Sequence, residues 1–439
     1  MKFKTLSRFL AAAFAVGCVF GLTACNNNNP PEDADFYFAE NGSGFEVTGL
    51  KDSALTEIVI PSSFNGKPVT GIAENAFKDL NGITSVTIPA TIETVGKNAF
   101  ARCEGLEKVN VSDMGAWCEV SFATPASNPL YFAQNLYLDN ALVTELKVPD
   151  AATKIGDFAF YGYENLVSVD TGNGVKAIGE RAFFGCPALE SVTVGGGVES
   201  IGEQAFSTCE KLQKLSFGEN LKEVGGYAFS ECVSLNEVSL PSGMEAIGES
   251  AFLGCLQLAK FTVNDGLKTI GDAAFAGCTA LENFIMPDSV TSIGMGILMN
   301  NKSAGFEQGE DSLNNISEIR ISNSLTEIPD FAFSNCKIES VTIGNKVTRI
   351  NYSAFYGCGS LKSVVIPQTV KRISSYAFYK CNALEAVYYI GGAADWQKVV
   401  IGNNGNPIKT APVYYYSFSK PSASGNYWHY VGGVPVVWE

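Results

Sequence analysis

The residues able to do chemistry are few, and their spacing assigns most of them to structure. His429 is the one histidine of the 439-residue chain, which removes metal sites built on two histidines. As a general base within Tyr427-Trp428-His429-Tyr430 it would need a nucleophile and an orienting partner brought beside it by the fold. Of the 12 cysteines, Cys103, Cys186, Cys209, Cys232, Cys255, Cys278, Cys336, Cys358 and Cys381 each stand three residues after a recurring phenylalanine. No Cys-x-x-Cys occurs, and so long a spacing cannot assemble a tetrahedral site locally. The same slot holds Leu80 or Tyr163 elsewhere, so it reads as apolar filling and predicts buried free thiols. Stacked coils would bring such thiols near disulfide distance, which leaves oxidation open in principle.

Phosphate-loop, nucleophile-elbow and zinc-helix patterns are absent. Gly172-Asn173-Gly174-Val175-Lys176-Ala177 imitates a dinucleotide fingerprint, but it fills the same slot as Gly195-Gly196-Gly197, where the pattern demands a turn and no long helix follows. Glu180, Glu203, Glu249 and Asp272 recur at one position of the repeat, which suits a solvated edge or a turn cap better than paired catalytic acids. The expectation is therefore a protein that is not an enzyme and has no cofactor and no metal site.

The elements that position these residues come from an internal period. Ala-Phe pairs at Ala182-Phe183, Ala205-Phe206, Ala228-Phe229, Ala251-Phe252 and Ala274-Phe275 recur every 23 residues, the mark of a solenoid whose units bury their apolar faces only by stacking. Within a unit Val192 and Val194 alternate with Ser191 and Thr193, as in a half-buried strand. Proline or glycine ends the strand, as at Ile88-Pro89, Leu240-Pro241 and Ile366-Pro367. A return leg follows with Ile-Gly and Ala-Phe, the alanine small at a close turn and the phenylalanine a plug stacking on the next coil. The fold class is an α/β-type repeat solenoid, mostly β. About thirteen coils at about 4.8 Å each give a rod on the order of 60 Å.

Residues 1–24 carry Lys2, Lys4 and Arg8 before a short apolar run and read as an export signal. Leu22-Thr23-Ala24-Cys25 resembles a bacterial lipobox, which implies a lipid on Cys25 and a signal peptide removed before it. Residues 25–35 form a polar, acidic tether, and 36–54 a capping hairpin around Asn41-Gly42-Ser43-Gly44. Residues 55–390 form the solenoid with insertions at 113–147 and 299–316, and 391–439 an aromatic C-terminal cap. Without the three leader cations, 27 basic residues face 45 acidic ones, a net charge of −18, which argues against nucleic acid as a partner.

Leu189-x-x-Val192-x-Val194, with Ile-Gly-x-x-Ala-Phe-x-x-Cys before it, resembles the leucine-rich repeat of the BspA-like family of bacterial surface proteins. The cysteine precedes the strand by six residues instead of following it, so the asparagine ladder of the general repeat is missing. The resemblance implies a right-handed leucine-rich repeat coil with a parallel sheet on one face and short turns or 3-10 segments on the other. It also implies display on the cell surface and adhesion to host or neighbouring-cell proteins.

Outward strand positions are the natural contact surface. Lys214, Glu237, Lys260, Asn283, Glu318 and Arg320 alternate in charge along it and are partner-binding candidates, although a merely soluble sheet face would look the same. Hydroxyls dominate the rest, and up to Thr342 this face lacks aromatic platforms. Trp117-x-x-Val120-x-Phe122 leading to Asn128-Pro129 repeats as Trp396-x-x-Val399-x-Ile401 leading to Asn406-Pro407. The first copy interrupts the solenoid and reads either as a bracing element or as a projecting loop that presents Trp117, Tyr131 and Phe132. The expected function is a non-catalytic, surface-anchored binding protein, exported and held by lipid on the extracellular face of the outer or plasma membrane. Two alternatives stand beside it: a glycan-binding protein in which Trp117, Trp396 and the Tyr414 to Trp438 segment supply stacking platforms, and an envelope structural component.

Overall fold

The computed structural model describes residues 35–282, 284–299, 316–404, 406–422 and 424–438. The leader, Cys25, the tether up to residue 34, Asn283 and residues 300–315 of the second insertion lie outside the described residues. The chain is a parallel β-solenoid of about 15 turns. Strands such as Ser168–Asp170, Ser191–Thr193 and Lys214–Ser216 pair in parallel and in register, so that Val169, Val192 and Leu215 stack inward in one column.

The return leg is more ordered than its sequence suggests. Ala177–Ile178, Ser200–Ile201, Glu223–Val224 and their equivalents form a second, narrow parallel sheet from Lys154–Ile155 to Ser292–Ile293. Each of its strands has two residues, too few to show an alternating pattern. The glycine that follows is required by close approach. At Gly202, whose amide donates to Ile178 O at 2.8 Å, a Cβ would lie 2.8 Å from the carbonyl carbon of Gly179.

At the third side the Phe206 amide donates to Ala228 O and the Phe183 amide to Ala205 O, each binding one turn to the next. The rings of Phe160, Phe183, Phe206, Phe229, Phe252 and Phe275 stack with centroids 4.9–5.5 Å apart and planes within 8° of parallel. This column is the axis of the core, every ring at most 1% exposed. The cysteine slot is more than apolar filling. Cys209 Sγ donates to Phe183 O at 3.2 Å and Cys232 Sγ to Phe206 O at 3.2 Å, so each thiol hydrogen-bonds the coil before it. Tyr163, in the same slot, uses its phenol to donate to Val143 O at 2.5 Å. Burial pushes the thiols up, Cys103 to about 11 and Cys278 to about 12, and Tyr163 likewise to about 12.

The first interruption is a coil and not a projecting loop. Helix Met114–Glu119, capped by Asp113 through the Ala116 amide, leads to Ser121–Phe122, which pairs with Thr94–Val95 in the narrow sheet. Leu136–Leu138 then pairs with Lys108–Val111 in the wide one. The Ala-Phe turn is replaced by buried Asn128, whose Nδ2 donates to Phe158 O and Ala159 O at 2.8 and 2.9 Å while Oδ1 accepts from the Leu130 amide at 2.9 Å. Asn406 does the same work near the C-terminus, accepting from the Phe378 amide at 2.7 Å and donating to Ser374 O at 3.1 Å. An antiparallel hairpin, Phe36–Asn41 with Gly44–Leu50, covers the first coil, and Tyr427–Val431 with Val434–Val437 form another at the far end.

Phe206→Ala should lower stability by about 3–5 kcal/mol, because two stacked neighbours lose their partner. Asn128→Ala should cost about 2–3 kcal/mol by leaving buried carbonyls unpaired, whereas Ser216→Ala on the exposed face should be neutral within about 0.5 kcal/mol; urea midpoints check all three. A thiol reagent at pH 8 should label none of the ten described cysteines, all buried, until denaturant is added. Unfolded thiols ionise near about 8.5 while the native ones stay protonated, so stability should hold below about pH 8 and fall as pH rises beyond it.

Candidate binding face

The longer strands line one side of the solenoid as successive ladders, four-stranded up to Lys214–Ser216, two-stranded at Glu237–Ser239 and Lys260–Thr262 and eight-stranded from Phe284–Ile285 on, and turn alternate residues to solvent because they are buried on one side only. Lys214, Glu237 and Lys260 are exposed at one outward column, and Ser216, Ser239 and Thr262 at the next. Between the strands near Lys260 and Arg320 lies an open groove of about 720 Å³, lined by Lys260, Thr262, Asp265, Asp288 and Arg320 around Ile285. Ile285 stands at an outward position and is 70% exposed. Shallower depressions of about 420 and 370 Å³ extend the concavity, one along Ser191, Lys214 and Glu237, the other along Ser216, Glu219 and Ser239.

Some charges elsewhere on the coils pair with one another. Glu199 pairs with Lys222 at 2.9 Å, Glu245 with Lys268 at 2.7 Å and Glu339 with Lys362 at 2.6 Å, each between neighbouring coils. Hydrogen bonds from the lysines hold Glu199 and Glu245 below the usual carboxylate range. Lys214, Glu237 and Lys260 form no ion pair within 4 Å among the described residues. Arg320 reaches Asp288 at 3.1 Å, and the Asn323 amide and side chain, donating to the same carboxylate, keep Asp288 ionised below its ordinary range. Glu318 opens the strand Glu318–Arg320 of this sheet, and Asn283 lies outside the described residues.

The sequence's aromatic candidates separate. Trp117 is 2% exposed and packs on Phe122 at 5.2 Å within the core, so it offers no platform to a ligand. The correction follows from the helix on which it sits, whose apolar side replaces a return leg. Tyr131 is 41% exposed and lies against Tyr161, 5.5 Å away in the next coil's turn. Trp396 is half-buried on Tyr389 at 5.1 Å.

An aromatic group stands on the strand face beyond Thr342, within the Tyr414 to Trp438 segment that the sequence offers as stacking platforms; what sequence reasoning missed is that Tyr388 joins it. Register carries the outward column from Thr342 to Val365, Tyr388 and Tyr414. There Tyr388, Tyr416 and Tyr430 surround Trp428 while Tyr414 packs on Tyr388, and the face that was hydroxyls and charges becomes aromatic. Irregular spacing hid this column, since 26 residues separate Tyr388 from Tyr414. The signal was the unbroken run Val413-Tyr414-Tyr415-Tyr416 read as one more strand.

Among the described residues no group of three or more His, Cys, Asp or Glu could hold a metal ion. The His429 ring is stacked on Trp438 at 3.6 Å. Asp272 Oδ1 accepts from the Met295 amide of the following coil at 2.7 Å, a turn-capping bond, and Glu249 accepts from the Tyr227 phenol at 2.9 Å. What the arrangement supplies is an exposed contact surface of alternating polar and charged side chains with open depressions between strands.

No curated protein matches the chain. Among solved structures, a leucine-rich repeat protein from Bacteroides ovatus is 20% identical over 87% of this chain and 98% of that one, with a TM-score of 0.52. Another from Eubacterium ventriosum is 19% identical over 89% and 97%, with a TM-score of 0.50. Both likenesses concern the fold. A leucine-rich cell surface protein from Faecalibacterium prausnitzii is 24% identical over 84% of this chain and 96% of that one, with a TM-score of 0.45. The model of the BspA type leucine rich repeat region matches residues 48–124, 131–255, 186–305 and 310–401, and with most of the chain so covered, the protein belongs to the BspA-type leucine-rich repeat family.

Proposed function

We propose that this protein is a non-catalytic adhesion scaffold, displayed on the bacterial surface by lipid on Cys25, that binds protein partners through the outward strand face from Ser191 to Arg320. Leucine-rich repeat proteins generally bind macromolecules such as proteins, and the relatives include bacterial cell surface proteins. Among the described residues no helix is long and apolar enough to cross a membrane. The observation that supports the reading is the exposed column of Lys214, Glu237 and Lys260, alternating in sign on neighbouring coils and in no ion pair within 4 Å among the described residues. Alternating signs on a fixed spacing set register and speed association more than they add affinity.

The test is binding of the full chain to a panel of extracellular-matrix proteins. Saturable binding should weaken at least about tenfold in a Lys214→Glu, Lys260→Glu double variant and should weaken again at about 0.5 M salt. Binding indifferent to both changes would contradict the assignment of the face. Substituting Cys25→Ala should move the chain from the membrane fraction to the soluble one and abolish incorporation of labelled palmitate. Retention of the variant in membranes would refute the lipid anchor.

A further inference from the structure

The aromatic group at the C-terminal end of the strand face is built unlike the rest of that face. Trp428 occupies an outward register position opposite Tyr416 and yet is fully buried. Its cover is Tyr388, Tyr416 and Tyr430, with centroids 5.3, 5.2 and 4.8 Å away. Trp428 does not belong to the solenoid's continuous core. It anchors a separate aromatic mound on the outside of the sheet, fixed by its Nε1 donating to Tyr389 O at 3.1 Å.

The tyrosines around it remain partly open to solvent, Tyr430 at 39%. Tyr416 and Tyr430 pack on the indole at 70° and 76°, so neither ring is stacked flat against it. Tyr388 and Tyr414 lie 5.7 Å apart on adjacent strands, a step comparable with the length of one pyranose unit. Burial raises the phenols of Tyr388 and Tyr430, which keeps their hydroxyls protonated and able to donate.

We infer that this mound is a carbohydrate-binding platform, on which Tyr388, Tyr414 and Tyr430 stack against the C–H faces of a neutral glycan chain while their hydroxyls meet its hydroxyl groups. Charge decides the class of glycan. The mound itself carries no ionised side chain, its charged neighbour Glu385 is acidic, and the chain as a whole bears a net −15, so an anionic polysaccharide is repelled and a neutral one is not. The ligand and the residues differ from those of the protein-binding reading, and either can fail alone. Rings locked by their neighbours lose little freedom on binding, which is what a weakly polar ligand requires. The tryptophans of the two repeated modules take no part, since Trp117 is buried and Trp396 lies against Tyr389.

The experiment is isothermal titration of the full chain in detergent with cellohexaose, laminarihexaose and mannohexaose, with hexagalacturonate as the anionic control. At least one neutral hexasaccharide should bind saturably and alter tryptophan fluorescence. Affinity should fall at least about tenfold in Tyr414→Ala and in Tyr388→Ala and stay within about threefold in Tyr414→Phe. Tyr352→Ala, at an exposed tyrosine on the turn side, should leave binding unchanged, as should about 0.5 M salt. Unfolding midpoints of the variants establish that each is folded. The inference is overturned if no neutral hexasaccharide binds, if binding survives both alanine substitutions, or if hexagalacturonate is preferred. It is equally overturned if Tyr414→Ala abolishes binding of a matrix protein and leaves the glycan untouched, which would make the mound a protein hot spot.

Discussion

Every part of this molecule answers to one spacing. Adjacent coils lie about 4.8 Å apart because backbone amides and carbonyls of neighbouring strands must meet, and whatever fills the interior must repeat at that distance. Parallel aromatic rings tolerate it, which is why Phe183, Phe206 and Phe229 stack almost plane on plane. Glycine satisfies it where backbone meets backbone, at Gly202 and its equivalents. The thiols satisfy it by reaching back to the phenylalanine carbonyl of the coil before. The interior is thereby committed to structure, and the outward residues are the ones left to vary.

Much of this was legible in the amino-acid sequence, since a period of 23 with Val192 and Val194 flanked by hydroxyls leaves few architectures to choose from. The strand, its inward and outward sides and the phenylalanine column followed from that period. The narrow sheet did not, because a strand of two residues such as Ser200–Ile201 shows no periodicity of its own. Nor did the thiol hydrogen bonds, because a slot that also holds Leu80 looks purely apolar. The module containing Trp117 was misjudged for a sharper reason. It lacks the Ala-Phe pair, and nothing in its pattern discloses that the side chain of Asn128 supplies the bonds that a neighbouring turn would otherwise make. An aromatic residue off the repeat looked free, and it was core.

The site was legible to the same degree and for the same reason. Lys214, Glu237 and Lys260 were placed outward by alternation alone, and they are exposed. Which charges stay unpaired depends on partners in the next coil, and that required three dimensions: Lys222 and Lys268, equally ordinary in sequence, are engaged with Glu199 and Glu245. The aromatic mound required register as well, since it assembles from strands that break the period. Structure and binding are thus divided between the two faces of one sheet.

That division is tested most directly by replacing all outward residues of four consecutive strands together, Ser191, Thr193, Lys214, Ser216, Glu237, Ser239, Lys260 and Thr262, with alanine. Two quantities are then measured on one preparation, the urea unfolding midpoint and the affinity for a matrix-protein ligand. The account predicts an unfolding free energy within about 1 kcal/mol of the parent chain together with loss of binding, because these side chains carry recognition and no share of the core. A variant that unfolds early, or that binds as tightly as the parent, would contradict it.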